Sequence, residues 1–209
     1  EEKAPKEEQL PDEPMEDTSG AEGMVLNEED AKCLQQPNMI CEVGVTSTYI
    51  GGPMPGEEVK GMEFKSDTLF EAEGFEWRGR IYTAVDGGEV LVEGEYVDAG
   101  DPGGRLPTTP VNRIQVRSAA MKTADGVYVG QSYQKFRQQL QVADSSISAI
   151  YNPDYGVVDI SVLDSYLHYN FPLQIEVEVT EEGLGFARLD PSSLPQDMTL
   201  ESIVVLSSL

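Results

Sequence analysis

Any chemistry in this 209-residue chain has few side chains to draw on. There is one histidine, His168, in the run Tyr166-Leu167-His168-Tyr169-Asn170-Phe171. A Ser-His-Asp or Cys-His centre would need it as the base that takes the nucleophile's proton. No Gly-x-Ser-x-Gly elbow supplies a nucleophile. A lone histidine among aromatics reads as a packing residue or a surface tip, and no catalytic residue is assigned. The 38 Asp and Glu guarantee that some carboxylates are neighbours by chance, so a glycosidase-like pair is not inferred. The run Asp98-Ala99-Gly100-Asp101-Pro102-Gly103-Gly104 offers oxygens to calcium, but the spacing of a calcium-binding loop is absent and it reads as a solvated turn. Gly126-Val127-Tyr128-Val129-Gly130-Gln131-Ser132 places glycine before a helix start. It lacks the lysine and glycine spacing of a phosphate loop, and reads as a tight strand-to-helix corner. No cofactor is expected.

The two cysteines are Cys33 and Cys41, with seven residues between them. Pro37-Asn38 is a natural turn at the middle of that loop. A disulfide is expected, and with it an oxidising compartment. The alternative is two unrelated buried thiols. A zinc shell cannot be completed from two cysteines and one histidine, so no metal site is assigned. Six aromatics, Tyr133, Tyr151, Tyr155, Tyr166, Tyr169 and Phe171, either pack in a core or form an exposed ligand or glycan platform.

These residues must be positioned by a fold, and composition bounds it. Hydrophobic residues make up 39% of the chain, enough for a core. Of the formal net charge of -24, -10 falls in residues 1–30 and -14 in the other 179. So acidic a surface repels phosphate backbones and anionic headgroups, which argues against nucleic acid as a partner and against charge-driven lipid docking. A saline habitat would also account for the acidity. No segment approaches the eighteen or so apolar residues of a membrane span. The chain begins at Glu1 rather than Met, and a removed upstream leader is expected.

Residues 1–24 are rich in Glu, Pro and Asp and have little to bury, so a disordered acidic tether is expected there. Residues 25–209 then form one globular domain, opening with the cysteine loop. Asn27 is a plausible cap for a short helix over 27–32. Gly51 to Gly56 is a breaker cluster. From Phe75 the pattern is of strands: Trp77, Gly79, Ile81, Thr83 and Val85 alternate, Asp86-Gly87-Gly88 turns, and Val90, Val92, Gly94 and Tyr96 alternate back. Val111–Val116 reads as a third strand. After the Asp125-Gly126 turn come a very short strand and a helix over 133–142, capped by Ser132, with Tyr133, Phe136 and Leu140 on one face. Strands are expected at 147–151, 157–163, 173–179, 184–189 and 203–206. The fold class is α+β and β-rich, mainly an antiparallel sheet with one or two packed helices.

The order of several features resembles one family. A Trp-Arg-Gly segment heads the hairpin (Trp77-Arg78-Gly79). Ile114-Gln115-Val116 follows as an Ile-x-Val strand, then Asp125-Gly126-Val127 with its helix. Pro195, Asp197 and Leu200 mark a turn before the last strand. Over roughly residues 45–206 the chain resembles the domain-of-unknown-function family of sigma-E-regulated (RpoE-regulated) bacterial envelope lipoproteins. The acidic arm, Cys33 and Cys41 lie outside the resembling stretch. The resemblance implies a lipidated cysteine upstream, an anchor in the membrane, and a periplasmic or outer-membrane location. It carries no catalytic residues. The resulting expectation is a non-enzymatic, exported envelope domain that binds a protein or envelope component. The alternatives are a secreted ligand- or glycan-binding module with an aromatic surface, or a hydrolase using acidic loops.

Overall fold

The computed structural model of the chain describes residues 26–72, 75–94, 97–98, 110–174 and 186–206. The expected tether, most of the Asp98–Gly104 loop, and most of the strand pair expected over 173–189 lie outside them. In chain order the strands are β1 Met39–Cys41, β2 Gly44–Val45, β3 Thr48–Tyr49, β4 Glu58–Val59, β5 Met62–Ala72, β6 Phe75–Ala84, β7 Glu89–Gly94, β8 Val97–Asp98, β9 Val111–Arg117, β10 Lys122–Thr123, β11 Ile147–Asn152, β12 Val157–Val162, β13 Leu167–Pro172, β14 Ala187–Arg188 and β15 Ser202–Leu206. Helix α1 spans Glu28–Leu34 and helix α2 Tyr133–Leu140. The class is the expected one.

The main sheet is antiparallel throughout, in the order β14-β11-β12-β13-β15-β9-β7-β6-β5-β4, with β8 also on β6. The last strand in sequence therefore sits in the middle. Its run Ile203-Val204-Val205 is buried on both faces, as a central strand requires. Hairpin β6–β7 turns at Asp86-Gly87-Gly88. Asp86 is more than a turn residue, because its carboxylate accepts from the Gly88 and Ala120 amides and the Ser118 hydroxyl at 2.7–3.1 Å. Gly88 is required there, since a Cβ would lie 2.5 Å from the Ser118 Cα.

One face of this sheet carries the core. Alternate residues of each strand point into it: Tyr82, Val90, Ile114, Ile203, Tyr169, Ile160 and Ala149 are all buried. Helix α2 closes this face. Ser132 Oγ accepts from the Lys135 amide, capping the first turn. Two more amides at its start, on Tyr133 and Gln134, donate to the Met198 and Gln196 carbonyls, so the 194–200 segment clamps the helix. Phe136, fully buried, packs its ring against Tyr169 at 4.8 Å, Phe171 at 5.3 Å and Tyr133 at 5.9 Å. The corner before the helix differs from the expectation. The short strand lies ahead of the Asp125-Gly126 turn, at β10, and Val127 to Val129 is irregular. Val127 is tied to Thr123 twice, its carbonyl accepting from the Thr123 amide and its amide donating to Thr123 Oγ1, before its side chain enters the core.

A small sheet, β10-β1-β2-β3, adjoins this body. Its β1–β10 pair is the one parallel pair among the described strands. The Asn27 side chain caps α1 by accepting from the Asp30 amide at 2.8 Å. Cys33 in α1 and Cys41 in β1 form a disulfide, with Cα atoms 6.0 Å apart. The bridge belongs to a small cluster with Leu34 and Val43. Glu42 ties the unit to the main sheet by accepting from the Ser165 hydroxyl and the Tyr166 amide.

Two of the longer strands were not expected, nor were the short strands β1 to β4 and β8. β5 runs eleven residues as the partner of β6, yet it alternates apolar with charged residues at half-burial. The register shifts at Lys65, between Phe64 and Ser66. This bulge puts Phe64 opposite Tyr82 on the core face and Thr68 and Phe70 opposite Gly79 and Trp77 on the other. β13 contains His168, whose aromatic neighbours Tyr169 and Phe171 point into the core while the histidine points away.

Candidate functional site

The face of the main sheet away from α2 has no helix on it among the described residues, and here the strands present polar side chains. β9 alternates Ile114 and Val116 inward with Arg113, Gln115 and Arg117 outward. β12 and β13 add Asp159, His168 and Asn170, and β15 adds Ser202. A depression of about 820 Å³ opens over β9, β15 and the β11–β13 strands, bordered by Tyr155, Phe186 and Ile150. A second, of about 340 Å³, opens over β5, β6 and β7, bordered by Phe70, Trp77 and Leu91. Both share Arg113, Gln115 and Arg117, so a row of three hydrogen-bond donors separates two lobes.

The polar groups hold one another in place. Glu93 is buried, 3% exposed, on β7. Its carboxylate accepts from Trp77 Nε1 and from Arg113 at 2.7 Å each. That burial is tolerable because the charge is paired and hydrogen-bonded. Trp77 also stacks on Phe70, with centroids 5.3 Å apart and planes 16° apart. Gly79 makes room for Phe70, since a Cβ there would lie 3.1 Å from the Phe70 ring. Ser202 Oγ accepts from Gln115 at 3.1 Å and from Asn170 at 3.3 Å, which ties β9, β15 and β13 together. His168 Nδ1 lies 3.0 Å from both Asp159 oxygens. Lys65 hydrogen-bonds Glu89 and, together with the charge of Arg117, holds that carboxyl below its ordinary range. Arg117 itself makes no ion pair among the described residues.

The arrangement can bind, and it has the makings of an acid–base pair in His168–Asp159. No hydroxyl nucleophile hydrogen-bonds to that pair, so the serine triad's geometry is absent among the described residues. Nor do three or more metal-ligating side chains cluster among them. No helix among them is long and apolar enough to cross a membrane.

The fold matches that of a solved bacterial protein. The crystal structure of the uncharacterized protein yfeY from Escherichia coli superimposes with a TM-score of 0.51 and 14% sequence identity, over 81% of this chain and 99% of that one. At that identity the likeness concerns the fold alone. No family model matches the sequence, and no curated protein matches it.

The aromatic set from the sequence does not form one platform. Tyr133, Tyr151, Tyr169 and Phe171 are buried in the core, because they fall on inward positions of α2, β11 and β13. Tyr155, 79% exposed, and Tyr166 remain on the surface, and of these Tyr155 borders the larger lobe. The sequence reading missed the groups that line the site: Trp77, Glu93, the Arg113-Gln115-Arg117 row, Asn170 and Ser202. Their signal was available in β9, where three donors alternate with two β-branched core residues.

Proposed function

We propose that this chain is the mature part of an exported bacterial cell-envelope lipoprotein, a non-enzymatic domain that binds a protein or envelope component through the open face of its sheet. The observation that carries the reading is that face: a sheet surface with no helix on it among the described residues, whose buried Glu93, Gln115 and Ser202 and half-buried Trp77 and Arg113 are already fixed by hydrogen bonds. Fixed polar groups lose little freedom on binding, which favours recognition. The Cys33–Cys41 bridge supports an oxidising compartment. The net charge of -24 disfavours nucleic acid. A hydrolase reading would need a nucleophile or a placed water beside His168–Asp159, and among the described residues the histidine ring hydrogen-bonds to that aspartate alone.

The lipoprotein assignment rests on the family resemblance and is tested in cells. The full-length gene product with its natural leader, grown with an alkyne-tagged fatty acid, should carry the tag and fractionate with envelope membranes. An untagged protein recovered in the cytosol would contradict it.

A further inference from the structure

We infer that the open face takes a glycan: an oligosaccharide, uncharged or nearly so, laid across the strands with a sugar ring against the Trp77–Phe70 stack and its hydroxyls on the Arg113-Gln115-Arg117 row. The inference rests on the proposal that this face is the binding surface, and it names the ligand class.

Charge excludes most other occupants. On the face the charges are largely compensated in pairs, Arg113 with Glu93, Lys65 with Glu89 and His168 with Asp159. A polyanion would meet those carboxylates and the acidity of the whole chain. A polycation would meet three cationic side chains, Arg113, Arg117 and Lys65, in its path. A lipid tail would have to desolvate the guanidinium of Arg113 and the amide of Gln115. What remains suited to the surface is a ligand dense in hydroxyls, each able to donate and accept. The floor is built of planar groups with fixed forks: guanidinium, amide and carboxylate.

Shape and rings agree. The apolar, flat side of a sugar ring packs on aromatic surface, and the parallel Trp77–Phe70 pair lines the smaller lobe. Tyr155 and Phe186, both largely exposed, supply apolar surface at the border of the larger lobe. Between β6 and β11 lie six inter-strand steps of about 4.8 Å, roughly 29 Å measured around the sheet. That length suits a chain of several sugar units rather than a monosaccharide. Asn170 and Arg117 stand midway and line the larger lobe.

Trp77 is the single tryptophan of the chain, so the site has its own reporter. Trp77 emission is titrated with chitotetraose, cellotetraose, maltotetraose and, as an acidic counterpart, tetragalacturonate. The expected result is a saturable change with at least one neutral tetrasaccharide. Its affinity should not respond to added salt and should exceed that for the galacturonate. Arg117→Ala, exposed and outside the core, should weaken it about tenfold while leaving the unfolding midpoint unchanged, and Asn170→Ala should weaken it likewise with a small fall in the midpoint for the lost bond to Ser202. Isothermal calorimetry on the same variants covers the case of a ligand that does not perturb the indole. Absence of saturable binding to all four sugars by both methods overturns the glycan assignment. If envelope fragments still bind through the face in that case, the proposed function stands and only the ligand class falls. Tighter, salt-sensitive binding of the galacturonate alone also overturns it, in favour of an acidic ligand held by Arg117.

Discussion

Truncating Phe136 to alanine measures how much of this domain hangs on α2. The ring is fully buried and touches Tyr133, Tyr169 and Phe171. Losing a buried phenylalanine side chain costs about 3–5 kcal/mol in transfer and cavity terms together. Aromatic pairs add about 0.5–1.5 kcal/mol each beyond area, which places this site near the top of the range. The neighbours cannot collapse into the gap easily, because Tyr133 is pinned by its hydroxyl on the Pro191 carbonyl and Tyr169 and Phe171 belong to a central strand. With a urea slope of about 2 kcal/mol per molar, ordinary for a small domain, a loss of about 4 kcal/mol lowers the unfolding midpoint by about 2 M. Ser132→Ala removes one capping bond and should cost about 1 kcal/mol, or about 0.5 M. Far-UV circular dichroism against urea reads both. A Phe136→Ala midpoint equal to the parent's would refute the packing argument and would mean that α2 is not part of the cooperative core.

Further outcomes follow from the same geometry. Intact mass should fall by two hydrogens relative to the reduced protein, and reduction should destabilise the α1–β1 unit by about 2–3 kcal/mol for a loop this short, read as a separate early unfolding step. Asp86 is partly desolvated, which alone would raise its pKa, but the Ser118 hydroxyl and the Gly88 and Ala120 amides outweigh that and hold it below the ordinary carboxylate range. Its contribution to stability is therefore present above the unfolded-state pKa of about 4 and lost as pH falls through the folded value. Asp86→Asn should flatten that acid limb in thermal melts. Burial pushes Tyr169 well above its ordinary value, and burial also raises Tyr82 and Tyr133. Stability should hold up to about pH 10, where unfolded tyrosine ionises, and decline as pH rises toward the folded values. Ultraviolet titration should show these phenols resisting ionisation until the protein unfolds. Gly88→Ala should lower the melting temperature clearly, since its Cβ meets the Ser118 backbone.

Where local pattern and tertiary role agreed, the chain was legible. Ser132, Tyr133, Phe136 and Leu140 announce α2, and Asp86-Gly87-Gly88 between alternating runs announces the β6–β7 hairpin. β9 and β15 also read correctly as strands. β5 was missed because its bulge at Lys65 swaps faces midway, so neither face is consistently apolar along its length. β13 is harder to read because its alternating Leu167, Tyr169 and Phe171 sit in a run dense in aromatics, which fits core packing and a surface tip equally. The candidate site was illegible for a different reason. Glu93 meets Arg113 across 20 residues and Gln115 meets Ser202 across 87. The second contact exists only because the C-terminal strand inserts between β9 and β13, a topology that no local signal specifies. Four of the six aromatics expected as core or platform went to the core, because period-2 and helical spacing both point them inward.

The central claim is that the open face of the sheet does the binding. It is tested most directly by co-sedimentation of the protein with purified envelope fragments, comparing the parent with Arg117→Glu/Asn170→Ala on the open face and with Gln134→Glu/Lys135→Glu on the exposed side of α2. The account predicts that the parent and the α2 variant pellet alike while the open-face variant stays folded in the supernatant, its melting temperature lowered only slightly by the lost Asn170–Ser202 bond. Equal pelleting of the open-face variant and the parent would contradict it.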